Sequence, residues 1–186
     1  MPLCKLKFKS VSEIVGSEDV GLLVLVTENE QRQLSIVCDK TMLHQFGMRL
    51  STPKPPVVDK LLPEVLWTII SRHTELHFKV VINDLVDGQY QTLLYEPHIL
   101  QAIPVRASDA VLLAQIASIP IFIEEKLLMR QSVPHNEKSV GVSVPVNVIS
   151  DEMLEKALRK AIDEENYEQA SQLRDELRRR GKDGLL

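Results

Sequence analysis

Few residues of this chain are grouped in a way that suits chemistry. The most informative group is Arg106-Ala107-Ser108-Asp109-Ala110, a cation, a hydroxyl and a carboxylate at the head of a long apolar run. Taken alone, these residues have structural uses. Ser108 caps a helix, Asp109 complements the positive end of that helix, and Arg106 pairs with Asp109. Asp59, just ahead of a second apolar run, reads in the same way as an N-cap. The other chemistry-bearing side chains are scattered. His44, His73, His77, His98 and His135 show no metal-ligand spacing, so each reads as a surface or partly buried histidine. Cys4 and Cys38 form no Cys-x-x-Cys pair, which argues against a structural zinc site or a disulfide framework. Reduced thiols in a cytoplasmic protein are the expectation. The chain carries no phosphate-binding glycine loop, zinc-protease helix or serine-nucleophile elbow.

The elements that must position these residues follow from hydrophobic period. Gly21 to Thr27 and Gln33 to Cys38 are β-rich runs at hairpin spacing, expected to pair antiparallel. Met42, Leu43, Phe46 and Leu50 predict a helix over Asp39 to Leu50, and Leu62, Val65, Leu66, Ile69 and Ile70 predict one over Asp59 to Arg72. Ser51 to Pro56 between them holds three prolines and must be a loop. His77 to Asn83 and Gln89 to Glu96 flank Asp87-Gly88, a dipeptide that accepts positive φ and favours a tight hairpin. A buried helix is expected to run to Ser118, followed by a short buried strand, Ile119 to Ile123. Hairpins mixed with helices favour an α+β fold, with a mixed, largely antiparallel sheet and packed helices, followed by a C-terminal helical hairpin.

Composition bounds what such a chain can be. Its 186 residues suit one domain with an appendage: a domain over residues 1–130, a linker over 131–149 and a hairpin over 150–181. The linker is marked by Pro134, Gly141 and Pro145 among Ser, Asn and Val, and its Val140 to Val148 part can also lie along the domain as an edge strand. A hydrophobic fraction of 44% and a charged fraction of 26% exclude wholesale disorder. The net charge of −4 gives no global attraction to nucleic acid. Stacking platforms for single strands need exposed aromatics, and Phe8, Phe46, Trp67, Phe78, Tyr90, Tyr95, Phe122 and Tyr167 lie mostly in apolar runs that suggest core. Neither a signal peptide nor a membrane-spanning run is expected.

In the last segment, Ser150 is an N-cap candidate and Asp151 and Glu152 follow in the first turn. Leu154, Ala157, Leu158, Ala161 and Ile162 form one stripe, and after Asn166, with Gln169 at capping-box spacing, Ala170, Leu173 and Leu177 continue it to Gly181. Arg178, Arg179, Arg180 and Lys182 read as cations at the negative end of the second helix. Helices this short are marginal alone, so the stripe must be covered by a copy of itself, the first domain or another protein. The blocks Leu154-Glu155-Lys156-Ala157-Leu158, Ala161 to Ala170 and Leu173-Arg174-Asp175-Glu176-Leu177 resemble the UVR motif of the excision-repair proteins UvrB and UvrC. That resemblance implies a protein-binding hairpin that pairs with another hairpin through Leu154, Leu158, Ile162, Tyr167, Ala170, Leu173 and Leu177.

The Arg106 to Ala110 block, with the helix and strand after it, resembles the bifunctional nuclease domain family. A weaker similarity extends from Leu22 to Leu128 and includes Val81-Ile82-Asn83-Asp84-Leu85. The resemblance implies cleavage of DNA and RNA. The family's Arg-Pro-x-Thr-His-Asp segment aligns with Lys54-Pro55-Pro56-Val57-Val58-Asp59, so valines stand at the Thr and His positions and only the carboxylate remains. The acidic residue expected on the first helix aligns near Met42. By resemblance, Asp59, Arg106 and Asp109 are the catalytic candidates. The same resemblance implies Asp59 and Asp109 as holders of Mg²⁺ or Mn²⁺, with Lys54 and Ser108 toward substrate. The implied partners are a second copy, a UVR-containing or repair protein, and nucleic acid. The alternative is a non-catalytic scaffold of the same fold; a DNA-binding regulator is disfavoured by the acidic charge and the lack of a basic recognition helix.

Overall fold

A computed structural model describes residues 2–14, 17–97, 102–135, 155, 158–159, 161–163 and 167–179. The chain forms two compact units, Met1–Ser143 and Val144–Leu186. Among the described residues the first unit contains strands β1 (Leu3–Ile14), β2 (Ser17–Thr27), β3 (Arg32–Asp39), β4 (Lys79–Val86), β5 (Gln89–Tyr95), β6 (Ile103–Arg106), β7 (Ile121–Glu124) and β8 (Val133–Pro134). Helices α1 (Lys40–Leu50), α2 (Leu62–His73), α3 (Ala107–Ala117) and α4 (Glu125–Gln131) complete it. The strands make one sheet in the order β6-β5-β4-β7-β1-β2-β3-β8. Among the described strands only β4 and β7 run parallel, joined through the β5 hairpin, β6 and α3. The fold is α+β, with the mixed, mostly antiparallel sheet that the hairpin signals predict.

The turn between β4 and β5 follows from its residues. Asp87 and Gly88 both have positive φ, 51° and 75°, the conformation that keeps a two-residue loop in step with the twist of its strands. β1, β6 and β8 are not assigned from sequence. In β1 the period-two signal is present: Lys5, Lys7 and Lys9 are exposed, Leu6 is buried and Phe8 is half-buried. Phe8 stacks on the buried Phe46 of α1 with ring centroids 5.1 Å apart. β1 therefore lies inside the sheet, between β7 and β2.

The sheet cannot be flat. α3 touches both β5 and β3, which are five positions apart in the strand order. At about 4.8 Å per strand a flat sheet would separate them by about 24 Å, twice the diameter of a helix. The sheet must curl around α3, and the burial of Ala107, Ser108, Ala110, Val111, Leu112 and Ala114 is the consequence. Residues Leu22 to Val26 of β2 and Val80 to Ile82 of β4 are buried on both sides of the pleat.

Several boundaries differ from expectation: β2 begins at Ser17, β4 covers Lys79–Val86 and β7 Ile121–Glu124. The helix expected over Asp59 to Arg72 is a 3₁₀ turn, Val58–Lys60, followed by an extended Leu61 and then α2. Pro63 is the reason, because a helix begun at Asp59 would place proline in its interior, whereas a start at Leu62 puts it in the first turn, where its missing N–H costs nothing. Asp59 is therefore not the N-cap of α2. Nor does Ser108 cap α3: Arg106 holds the N-cap position, and Ser108 lies within the first turn with its side chain buried. Residues 125–131 form α4, and Val133–Pro134 pairs with β3. Arg32 fixes that junction, its Nε donating to Ser132 Oγ at 2.6 Å and its Nη2 to the Ser132 carbonyl at 2.8 Å. The aromatic residues are less uniformly core than expected: Phe46 and Tyr90 are buried, whereas Tyr95 and Tyr167 are exposed.

In the second unit, 155, 158–159 and 161–163 are helical, and a further helix spans Tyr167–Arg179. Leu158, Ala161, Ala170, Leu173 and Leu177 are buried, while Ile162 and Tyr167 are exposed. Ser150, Leu154, Asn166, Arg180 and Lys182, and the edge strand considered for Val140 to Val148, lie outside the described residues.

Candidate active site

The curl of the sheet has a chemical result. Asp39 ends β3 and Arg106 ends β6, six positions apart in the strand order, or about 29 Å in a flat sheet. In the folded chain Arg106 Nη1 donates to Asp39 Oδ2 at 2.9 Å. The same guanidinium grips Asp109, with Nε to Oδ2 at 2.6 Å and Nη2 to Oδ1 at 3.4 Å. One cation thus sits between two carboxylates, each at the start of a helix, and all three side chains are about half exposed.

Local chemistry fixes each member. Asp39 caps α1, accepting the Met42 N–H on Oδ1 at 2.8 Å. That hydrogen bond first, then Arg106, holds its carboxyl below the usual carboxylate range. Asp109 lies in the first turn of α3. Arg106 is held above its ordinary pKa chiefly by Asp109, so it remains a cation at any working pH. Cys38, next to Asp39, is buried, and burial raises its thiol to about 11.

The residues anticipated from sequence divide into two groups. Arg106 and Asp109 come together, and Ser108 stands between them in sequence with its side chain packed inward. Asp59 pairs instead with Lys54, Oδ1 to Nζ at 2.6 Å, on an exposed surface. No hydrogen bond or ion pair seen among the described residues joins that pair to the Arg106 cluster. The residue that sequence reasoning missed is Asp39. The family pattern aligns an acidic residue near Met42, and Asp39 is the carboxylate that caps that same helix three residues earlier, a position its N-cap chemistry makes legible.

Among the described residues no group of three or more His, Cys, Asp or Glu side chains is set to hold a metal ion. The donor set nonetheless fits Mg²⁺ or Mn²⁺, which are often held by one or two carboxylates with water and substrate phosphate completing the shell. Asp39 and Asp109 are such a pair, already drawn together by one guanidinium.

No helix among the described residues is long and apolar enough to cross a membrane. No curated protein matches the chain. The model of the bifunctional nuclease domain matches residues 23–136, which takes in Asp39, Lys54, Asp59, Arg106 and Asp109. The UvrB/UvrC motif matches residues 152–180. With more than half of its length matched and its charged cluster inside the match, the chain belongs to the bifunctional nuclease domain family and carries a UvrB/UvrC motif at its C-terminal end.

Proposed function

We propose that the first unit binds a nucleic-acid phosphodiester at Asp39, Arg106 and Asp109 and hydrolyses it, while the C-terminal hairpin binds a protein partner. The observation behind the first half is the half-exposed guanidinium held between two carboxylates. An incoming phosphate competes for Arg106, whose planar fork suits phosphate as well as carboxylate. Asp39 and Asp109 then lose their cation and have oxygen atoms free for Mg²⁺ or Mn²⁺. A divalent ion held there supplies a Lewis acid and a water of lowered pKa. Arg106 faces the charge that develops on the phosphoryl oxygens, and the first N–H groups of α3 add to it. Lys54, after breaking from Asp59, offers a further phosphate contact. The free thiols Cys4 and Cys38 suit a reducing cytoplasm.

For the hairpin, the partner is a second copy or a UVR-containing or repair protein. Among the described residues of the expected stripe, Ile162 and Tyr167 are exposed. The test of the hydrolase is direct: the purified full chain with Mg²⁺ or Mn²⁺ cuts DNA or RNA, and Asp39→Asn and Asp109→Asn do not. Intact nucleic acid with every version, or equal cutting by all of them, overturns the proposal.

A second reading has its own observation. Val58 occupies the position of the family's histidine and is fully buried, and Asp59 is already paired with Lys54. A scaffold that binds without cutting fits this arrangement. Titration calorimetry with Mn²⁺ separates the two: binding that is lost in Asp39→Asn and Asp109→Asn supports the hydrolase, and no binding at millimolar ion supports the scaffold.

A further inference from the structure

Helix α2 is amphipathic in sequence yet has no buried residue. It is fastened to the rest of the unit by one side. Glu64 takes a bidentate pair from Arg49, Nε to Oε1 at 2.7 Å and Nη2 to Oε2 at 2.9 Å, and Trp67 meets Phe78 edge to face at 6.3 Å between centroids. The apolar row on the other side is uncovered: Leu62 is 68% exposed, Val65 40%, Leu66 49% and Ile69 52%. Spacings of three and four residues put these on one stripe. Leu50 and Val57 are also about half exposed, and the Arg49–Glu64 bond brings the end of α1, with Leu50, to the start of α2.

We infer that this face is a dimer interface at which α2 packs antiparallel on α2 of a second copy. The first reason is area. The six exposed residues present roughly 500 Å² of apolar-residue surface, at the upper end of what monomeric proteins leave in one patch. A standard interface takes about 800 Å² from each partner, with an apolar centre inside a polar rim, so the patch supplies the centre of one such interface. The second reason is symmetry. An isologous contact requires a surface complementary to itself. The row Leu62, Val65, Leu66, Ile69 is palindromic about the point between Val65 and Leu66. In an antiparallel pair Leu62 meets Ile69 of the second copy at both ends, and Val65 and Leu66 fill the middle layer. No charged residue interrupts the row, so none is buried unpaired.

The test uses the full chain with a single new cysteine. Leu66→Cys is expected to form a disulfide-linked dimer under mild oxidation at micromolar protein, well ahead of Ser71→Cys, which is exposed on the opposite side of α2, and of the native chain. Association through the C-terminal hairpin alone would not favour position 66 over 71, so equal or absent cross-linking at both overturns the inference. If Leu66→Cys fails to cross-link selectively while Leu66→Glu alters the protease sensitivity of the C-terminal hairpin, the occupant is the chain's own hairpin and the inference falls. The register has its own test by analytical ultracentrifugation. Leu62→Lys and Ile69→Glu each weaken the dimer about tenfold or more. The double variant sets Lys against Glu twice and recovers part of the loss; a double variant weaker than either single one refutes the antiparallel register.

Discussion

Asp39 separates structure from chemistry more cleanly than any other residue. It caps α1 through the Met42 N–H and accepts from Arg106, so two substitutions divide its roles. Asp39→Ala loses the cap, which costs about 1 kcal/mol, and the favourable charge at the helix start, about 0.5 kcal/mol. The Arg106 pair adds little, because both side chains are about half exposed and such pairs are worth about 0–1 kcal/mol. Asn caps as well as Asp, so Asp39→Asn should cost only about 0.5 kcal/mol. Urea unfolding of both variants should show this order with unchanged m-values. Hydrolysis should follow a different order: both variants lose the carboxylate pair and should fall together, by about 100-fold or more if the ion is held there. The pH dependence has a definite sign. The folded carboxyl titrates below the unfolded value of 3.8, so its contribution is present above that pH and is lost as pH falls through the folded value; Asp39→Asn removes that acid limb. Two results would refute this reasoning: equal destabilisation by Asn and Ala would mean that capping is not what Asp39 does for stability, and an Asp39→Asn enzyme of native activity would remove it from the site.

Other substitutions test the frame around the site. A Cβ at Gly21 would overlap the Leu43 side chain at Cδ2 and Cγ, so Gly21→Ala should destabilise by about 1–3 kcal/mol, with Leu43→Ala in the same chain recovering part of it in chemical denaturation. Arg49 and Glu64 are nearly buried together, so Arg49→Ala should cost about 3 kcal/mol in urea unfolding, and replacing both partners by Met and Leu should cost less. The Cys38 thiol is raised from 9.0 to about 11. It should resist iodoacetamide at pH 8 in the folded chain, and the stability it contributes, complete below pH 9, should be lost as pH rises through 11.

Much of the architecture could be read from local pattern. The period of Met42 to Leu50 reveals α1, Asp87-Gly88 the β4–β5 turn and the apolar run after Asp109 the body of α3, because helix period and positive φ are properties of neighbours in the chain; the cap expected at Ser108 lies two residues late, at a buried side chain. Pro63, too, could have placed the start of α2 through its missing N–H. What the tertiary structure alone decided is which distant ends meet. Nothing local marks Asp39 as more than the first residue of a helix; the curl of the sheet carries β3 around α3 and sets it against Arg106. Sequence likewise shows that α2 has an apolar stripe, but not that the stripe faces outward. Strand order, curvature and the side by which a helix is fastened depend on contacts between segments far apart in the chain, and no local period encodes them.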